Sequence, residues 1–159
     1  AVDVRRRAHE ASQPTPDCVM PKKQTSATLR AKALKTLQKL ARISAADDSG
    51  FAACVSCGKI QHYKEMDGGH FIPKGSSSRW ALEEQNVHPQ CRGCNGFGMK
   101  HGSAEAQYTI WMIDWYGKDA VEHMLSTKKD SVKFYVSDYR EMISDWEEQI
   151  KAHERRVCG

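Results

Sequence analysis

Cys54-Val-Ser-Cys57 and Cys91-Arg-Gly-Cys94-Asn95 bracket the stretch that decides the fold, and between them lie Asp67-Gly-Gly-His70 and Asn86-Val-His88. Two C-x-x-C pairs separated by 33 residues predict a structural Zn²⁺ site of four thiolates. Each pair sits on a tight knuckle that points both sulfurs at one ion, and two knuckles complete a tetrahedron. Neither pair reads C-x-x-C-H, the haem-attachment pattern, and no βαβ pattern surrounds either to suggest a thioredoxin-type redox site. Disulfides are the competing use of the same four cysteines.

Working outward, 159 residues make one domain with appendages and a real core. An apolar fraction of 40% with 28% charged residues is ordinary for a globular protein. No apolar run approaches the ~20 residues that span a bilayer, and no signal-peptide core opens the chain. The expectation is a cytosolic protein without a membrane partner, whose thiols stay reduced and available to a metal. Cys18 and Cys158 fall outside the quartet and read as free thiols near the termini.

The net charge of +4 is unevenly placed: residues 1–46 hold ten Lys/Arg against three Asp/Glu, and the rest hold fourteen against seventeen. Basic charge concentrated at one end points to a polyanionic partner. Residues 1–24, with Arg5-Arg6-Arg7 and three of the five prolines, read as a basic flexible arm. Such an arm is either a solvated tail or a phosphate-contacting segment. Residues 25–46 predict an amphipathic helix, with Leu29, Ala33, Leu37, Leu40 and Ala41 on one face and Lys32, Lys35, Lys39 and Arg42 on the other. A basic stripe is ordinarily a solvated face; here it continues the basic arm. It supplies candidate DNA contacts, joined by Lys74 and Arg79 further along.

Residues 47–102 form the zinc-framed core. A strand fits at Gly68-Gly69-His70-Phe71-Ile72, with His70 and Ile72 on one face and Phe71 on the other. Residues 103–159 predict a helical extension, packed on the core or forming a dimer. Ser103 and Gly117 bound a first helix with an apolar stripe of Tyr108, Trp111, Met112 and Trp115. A short helix follows near Asp119–Leu125. A long one runs from about Ser131 to Glu154, with Tyr135, Tyr139, Met142, Trp146 and Ile150 on its buried side. Such stripes are ordinarily core, although aromatics can also stack bases.

A zinc closed by four cysteines keeps no open position, so any chemistry needs a second site. His70, Asn86, His88 and Asn95 are the candidates. The two glycines before His70 allow close approach of a backbone or a phosphate, and a neutral imidazole there could take a proton from an attacking water. Asn95 follows the last thiolate and is held firmly, a fair oxygen ligand for Mg²⁺ or Mn²⁺. Asn86 could hold a loop or the histidine ring.

The order C-x-x-C, G-H, N, C-x-x-C-N resembles the HNH, or ββα-metal, nuclease superfamily. More closely, Cys54-Val-Ser-Cys57-Gly58, Asp67-Gly-Gly-His70, Glu84-Gln-Asn86-Val-His88 and Gln90-Cys91-x-x-Cys94-Asn95 resemble the NinG/Rap recombination endonucleases of lambdoid phages, over about residues 52–125. The resemblance implies an α+β fold: a small zinc-stabilised ββα-metal core with flanking helices. It implies a metal-dependent endonuclease, phage-encoded and working in the bacterial host cell. The substrate would be branched DNA such as D-loops and Holliday junctions, and recombination proteins could be partners. By the superfamily pattern, His70 is the general base and Asn86 positions the loop. Asn95 ligates the catalytic Mg²⁺ or Mn²⁺, as the Cys-x-x-Cys-Asn of the phage endonuclease VII family does.

The pattern also departs from the family. The acidic residue that many members carry immediately before the histidine is Gly69 here. Asp67 has the same parity but lies one strand repeat away, about 6.6 Å, so it is not expected to replace that ligand directly. His88 and His101 are the other candidate donors. Two further functions stay open: a non-catalytic zinc-dependent DNA-binding or recombination accessory module, and an HNH nuclease with another duplex DNA target. The long aromatic helix is a candidate dimer interface.

Overall fold

The computed structural model describes residues 24–157, so the basic arm expected over 1–24, with Cys18, and Cys158 near the other end lie essentially outside the described residues. The first helix, α1, spans Ser26–Ser44. It opens on a reciprocal cap: the Thr28 amide donates to Thr25 Oγ1 at 3.2 Å and the Thr25 amide to Thr28 Oγ1 at 3.0 Å. Leu29, Ala33, Leu37, Leu40 and Ile43 recur at helical spacing and are all buried.

Strands β1 (Phe51–Ala53) and β2 (Ile60–His62) form an antiparallel hairpin whose turn is the first knuckle. Here the Cys54 amide donates to the Lys59 carbonyl at 2.9 Å and the Gly58 amide to the Cys54 carbonyl at 2.8 Å. Gly58 carries φ +72°, a left-handed turn that suits glycine. Strands β3 (Asp67–His70) and β4 (Val87–Gln90) form a second antiparallel hairpin, registered with Gly69 opposite His88 and His70 opposite Val87. After β4 a π-helical turn, Cys94–Gly98, runs into the short α2 (Met99–His101), which accommodates the glycines that a regular helix would disfavour. Helices α3 (Ala104–Tyr116), α4 (Lys118–Ser126) and α5 (Val136–Val157) complete the described chain. The result is a mixed helical protein with two small two-stranded sheets.

The second hairpin stands between two cores. On one side α1 lies across it, with Leu37, Met66, Ala81 and Val87 buried together, and α5 covers the far side of α1 through Tyr139, Ile143, Trp146 and Ile150. On the other side Phe71, Ile72, Trp80, Tyr108, Met112 and Val121 form a separate cluster. Gly68 makes the first contact close: a Cβ there would stand 2.6 Å from Gln38 Cα of α1.

Several expectations are corrected. α5 starts at Val136, because the Asp138 carboxylate accepts from the Tyr135 amide at 2.7 Å and opens the helix there. Tyr135 precedes it and is 60% exposed, not buried. The apolar face of α5 is packed on α1 of the same chain. In α3 only Tyr108 and Met112 of the expected stripe are buried; Trp115 is 70% exposed and stacks on Trp111 at 5.7 Å. Gly117 stops α3 at φ +87° as expected, whereas the Ser103 side chain makes no capping bond. β3 ends at His70. The chain then turns, and Phe71 and Ile72 both enter the second core instead of alternating.

Candidate functional site

Each C-x-x-C pair is presented by a strand end, Cys54 following β1 and Cys91 following β4. The Val55 amide ties the first knuckle to β4 by donating to the Pro89 carbonyl at 3.0 Å. The Sγ atoms of Cys54, Cys57, Cys91 and Cys94 all lie within 4.8 Å of one another. All four are free thiols. The Cys57 and Cys91 sulfurs are 3.8 Å apart. A disulfide needs about 2.05 Å. A tetrahedron with metal–sulfur arms of about 2.3 Å has edges of about 3.8 Å. The cluster is therefore close enough to hold a metal ion and is compatible with structural zinc. The Lys59 amide lowers the Cys57 thiol below its ordinary value, whereas burial raises Cys54 and Cys94.

His70 ends β3 half-buried, with Nε2 3.0 Å from the Ala81 carbonyl. A carbonyl only accepts, so Nε2 carries the proton and Nδ1 keeps its lone pair. Nδ1 has no protein partner among the described residues. Burial lowers the imidazole below its ordinary value, the Ala81 carbonyl opposes the shift, and Lys74 and Arg30 add to it. The ring is thus oriented, neutral near pH 7 and basic at one nitrogen.

Asn86 is fully buried beneath this histidine. Its Oδ1 accepts from the Ile72 amide at 2.6 Å, and its Nδ2 donates to the Ile72 and Trp80 carbonyls at 2.9 and 2.8 Å. One amide side chain thereby joins the segment after His70 to the turn whose Ala81 carbonyl orients the ring. Of the two roles considered for Asn86, it holds the loop and makes no bond to the imidazole.

His88 is corrected. It is not available to a metal, because both ring nitrogens are engaged: Nδ1 lies 2.8 Å from Tyr108 Oη and Nε2 2.9 Å from Tyr116 Oη. The Tyr108 hydroxyl donates to the Gly69 carbonyl at 3.1 Å, which sets the direction of the chain. Tyr116 donates to His88 Nε2, His88 Nδ1–H donates to Tyr108, and Tyr108 donates to the backbone beside His70. Burial pushes the His88 imidazole down to about 4.

Asn95 and Asp67 meet. Asn95 Nδ2 donates to Asp67 Oδ2 at 3.0 Å. The second knuckle carries Asn95 to the start of β3, so the strand offset does not separate this carboxylate from Asn95. The space a side chain at residue 69 would need is already filled: a Cβ on Gly69 would stand 1.8 Å from Gln90 Oε1. Gln90 is held there by donating to Ser56 Oγ at 2.7 Å, and Ser56 in turn donates to the Ala104 carbonyl at 3.0 Å. The two glycines thus admit α1 and Gln90, protein groups in both cases.

The basic residues are only partly available, a second correction. Lys32 and Lys39 pair with Glu147 and Glu154 of α5 at 2.8 and 2.7 Å. Arg42 donates to the Met66 carbonyl at 2.8 Å, and Arg79 pairs with Asp130 at 3.4 Å while lying over the Trp80 ring. α5 supplies these two carboxylates to the face expected to contact DNA, and the Lys32 and Lys39 side chains stay 52% and 43% exposed. Lys35 and Lys74 are exposed and have no ion pair among the described residues. Sequence reasoning missed Arg30, the Ala81 carbonyl, Gln90 and the Tyr108–His88–Tyr116 chain. Only Asp67 left a sequence signal, its parity with residue 69.

No helix among the described residues is long and apolar enough to cross a membrane. No curated protein and no solved structure matches the chain. The family model of the bacteriophage lambda NinG protein matches residues 4–156, nearly the whole sequence, and the chain belongs to that family.

Proposed function

We propose that this protein is a metal-dependent DNA endonuclease of the HNH type, acting on branched DNA in phage recombination. The observation that carries the reading is the tautomer of His70: Nε2–H committed to the Ala81 carbonyl, Nδ1 left with a lone pair. His88, on the other face of the hairpin, engages both ring nitrogens. Nδ1 of His70 takes a proton from water as its oxygen bonds to phosphorus and the bond to the 3′-oxygen breaks. The Ala81 carbonyl then stabilises the imidazolium, and Asn86 holds the adjacent Trp80 carbonyl of the same turn. The four cysteines would hold a structural zinc, and Cys94 carries Asn95 to its bond with Asp67 of β3. Asn95 would help hold a catalytic Mg²⁺ or Mn²⁺, which when bound supplies charge stabilisation at the phosphate and the leaving oxygen. A hairpin followed by a short helix, β3–β4–α2, has the element order of a ββα-metal core. The preference for branched DNA rests on the likeness to the NinG/Rap endonucleases.

The test is cleavage of a four-way junction against a matched linear duplex, with wild type and His70→Ala, in Mg²⁺, Mn²⁺ and excess chelator. The expected result is metal-dependent nicking near the branch by wild type, and binding without cutting by the variant. Equal cutting of both substrates would leave the nuclease and remove the branch preference. Binding without cutting by both proteins would leave only a zinc-dependent DNA-binding module.

A further inference from the structure

We infer that the linker between α4 and α5, residues 127–135, is a DNA-backbone contact that guides a phosphate strand across the loop following His70. This rests on the nuclease proposal and adds Lys128, Lys129 and Lys133 to it as substrate contacts. The linker is fastened to that loop along its length. Trp80 Nε1 donates to Thr127 Oγ1 at 3.1 Å, and the Ser77 hydroxyl donates to the Asp130 carbonyl. Ser78 Oγ accepts from the Val132 amide at 2.7 Å and donates to the Val132 carbonyl at 2.9 Å. Phe134 anchors the far end by packing on the α1–α5 core and against Tyr139.

The consequence is electrostatic. Residues 73–79 and 127–135 together carry Lys74, Arg79, Lys128, Lys129 and Lys133 against one acid, Asp130, which Arg79 already takes at 3.4 Å. Lys74, Lys128, Lys129 and Lys133 are exposed and form no ion pair among the described residues. Lys133 overhangs the exposed ring of Tyr135, 5.2 Å from its centroid. Like charges on two segments fixed to each other repel, and neither segment has a carboxylate left to relieve them. A run of phosphates does relieve them, and releases its own counterions as it binds. The basic face of α1 differs, because α5 pairs its Lys32 and Lys39 with carboxylates. Lys74 ties the patch to the site: its carbonyl accepts from the Arg30 guanidinium at 3.4 Å, and both cations act on the His70 ring. A strand lying on the linker lysines and Lys74 passes beside that imidazole.

The experiment is equilibrium binding of a fluorescent four-way junction to the full-length, zinc-loaded protein over a range of salt, in the non-cutting His70→Ala background. Lys128→Ala with Lys129→Ala should weaken binding by about tenfold and flatten the slope of log affinity against log salt by about two. The control removes the same charge elsewhere: Lys151→Ala with Arg155→Ala on α5, where Glu147 and Glu148 stand alongside. It should leave affinity within about twofold. Equal losses in the two pairs would mean that only net charge is felt and would overturn the inference, as would undiminished binding by the linker pair. Neither result touches the nuclease proposal, which is read from cutting by the protein with His70 intact. Junction binding that depends on Lys128 and Lys129 in a protein that cuts nothing would support the linker contact and remove the nuclease.

Discussion

His70 and His88 stand on opposite faces of one hairpin of two four-residue strands and have opposite fates. His88 faces the α3 core, where two tyrosine hydroxyls complete its hydrogen bonding and burial pushes it down to about 4. His70 faces the α1 side at the strand end, with a single bond to the Ala81 carbonyl and two cations nearby. The same residue type is an internal strut on one face and, in the proposed mechanism, a base on the other. What differs is the number of partners that the fold brings to the ring. The two are also linked, because the Tyr108 hydroxyl carries the His88 chain to the Gly69 carbonyl, one residue before His70.

The largest effect should come from withholding the zinc that the four-cysteine cluster would hold, since both faces hang from the knuckles that flank the hairpin. Structural zinc contributes on the order of 10 kcal/mol in small domains. Chelation should therefore abolish cooperative thermal unfolding and erase the difference between the histidines. A folded, cooperative apo-protein in calorimetry would show that the two cores suffice without it.

Next comes the split between the histidines themselves. His70→Ala should reduce cleavage by about 10²–10⁴-fold while changing unfolding free energy by less than about 1 kcal/mol. His88→Leu should do the reverse, costing about 1–3 kcal/mol, because Tyr116 loses its acceptor and Tyr108 keeps only its bond to the Gly69 carbonyl. Denaturant titration beside a cleavage assay reads both, and equal stability losses would sink the comparison.

Acid should act through the same contrast. Unfolded, His88 binds a proton near pH 6.5, whereas the native ring does so only near pH 4. Stability is thus full above about pH 6.5 and falls as pH drops toward about 4, by about 3 kcal/mol in total. His70, lowered in the same direction, adds to that loss, and cleavage should rise with pH through its depressed value. A melting temperature flat between pH 7 and pH 4 would contradict the burial of His88. The smallest effect is expected at Trp115→Ala, about 0.5–1 kcal/mol, because that ring is exposed and stacks only on Trp111.

Local pattern carried much of this molecule. The spacing of Cys54, Cys57, Cys91 and Cys94 pointed to a four-cysteine cluster close enough to hold a metal ion before any fold was known, since ligand spacing of this kind is written in short knuckles. The 3.6-residue periodicity of α1, the stop at Gly117 and the interrupted turn after Asn95 were legible for the same reason, being local in the chain. Long-range packing decided the rest. Whether Lys32 and Lys39 are free depends on Glu147 and Glu154, more than a hundred residues away. Whether His88 can take a metal depends on Tyr108 and Tyr116, and whether residue 69 can carry a side chain depends on Gln90 across the hairpin. A sequence states which groups exist and how neighbours along the chain repeat. Which lone pair or charge is left over is known only once the partners across the fold have been placed, because each hydrogen bond or ion pair removes one candidate.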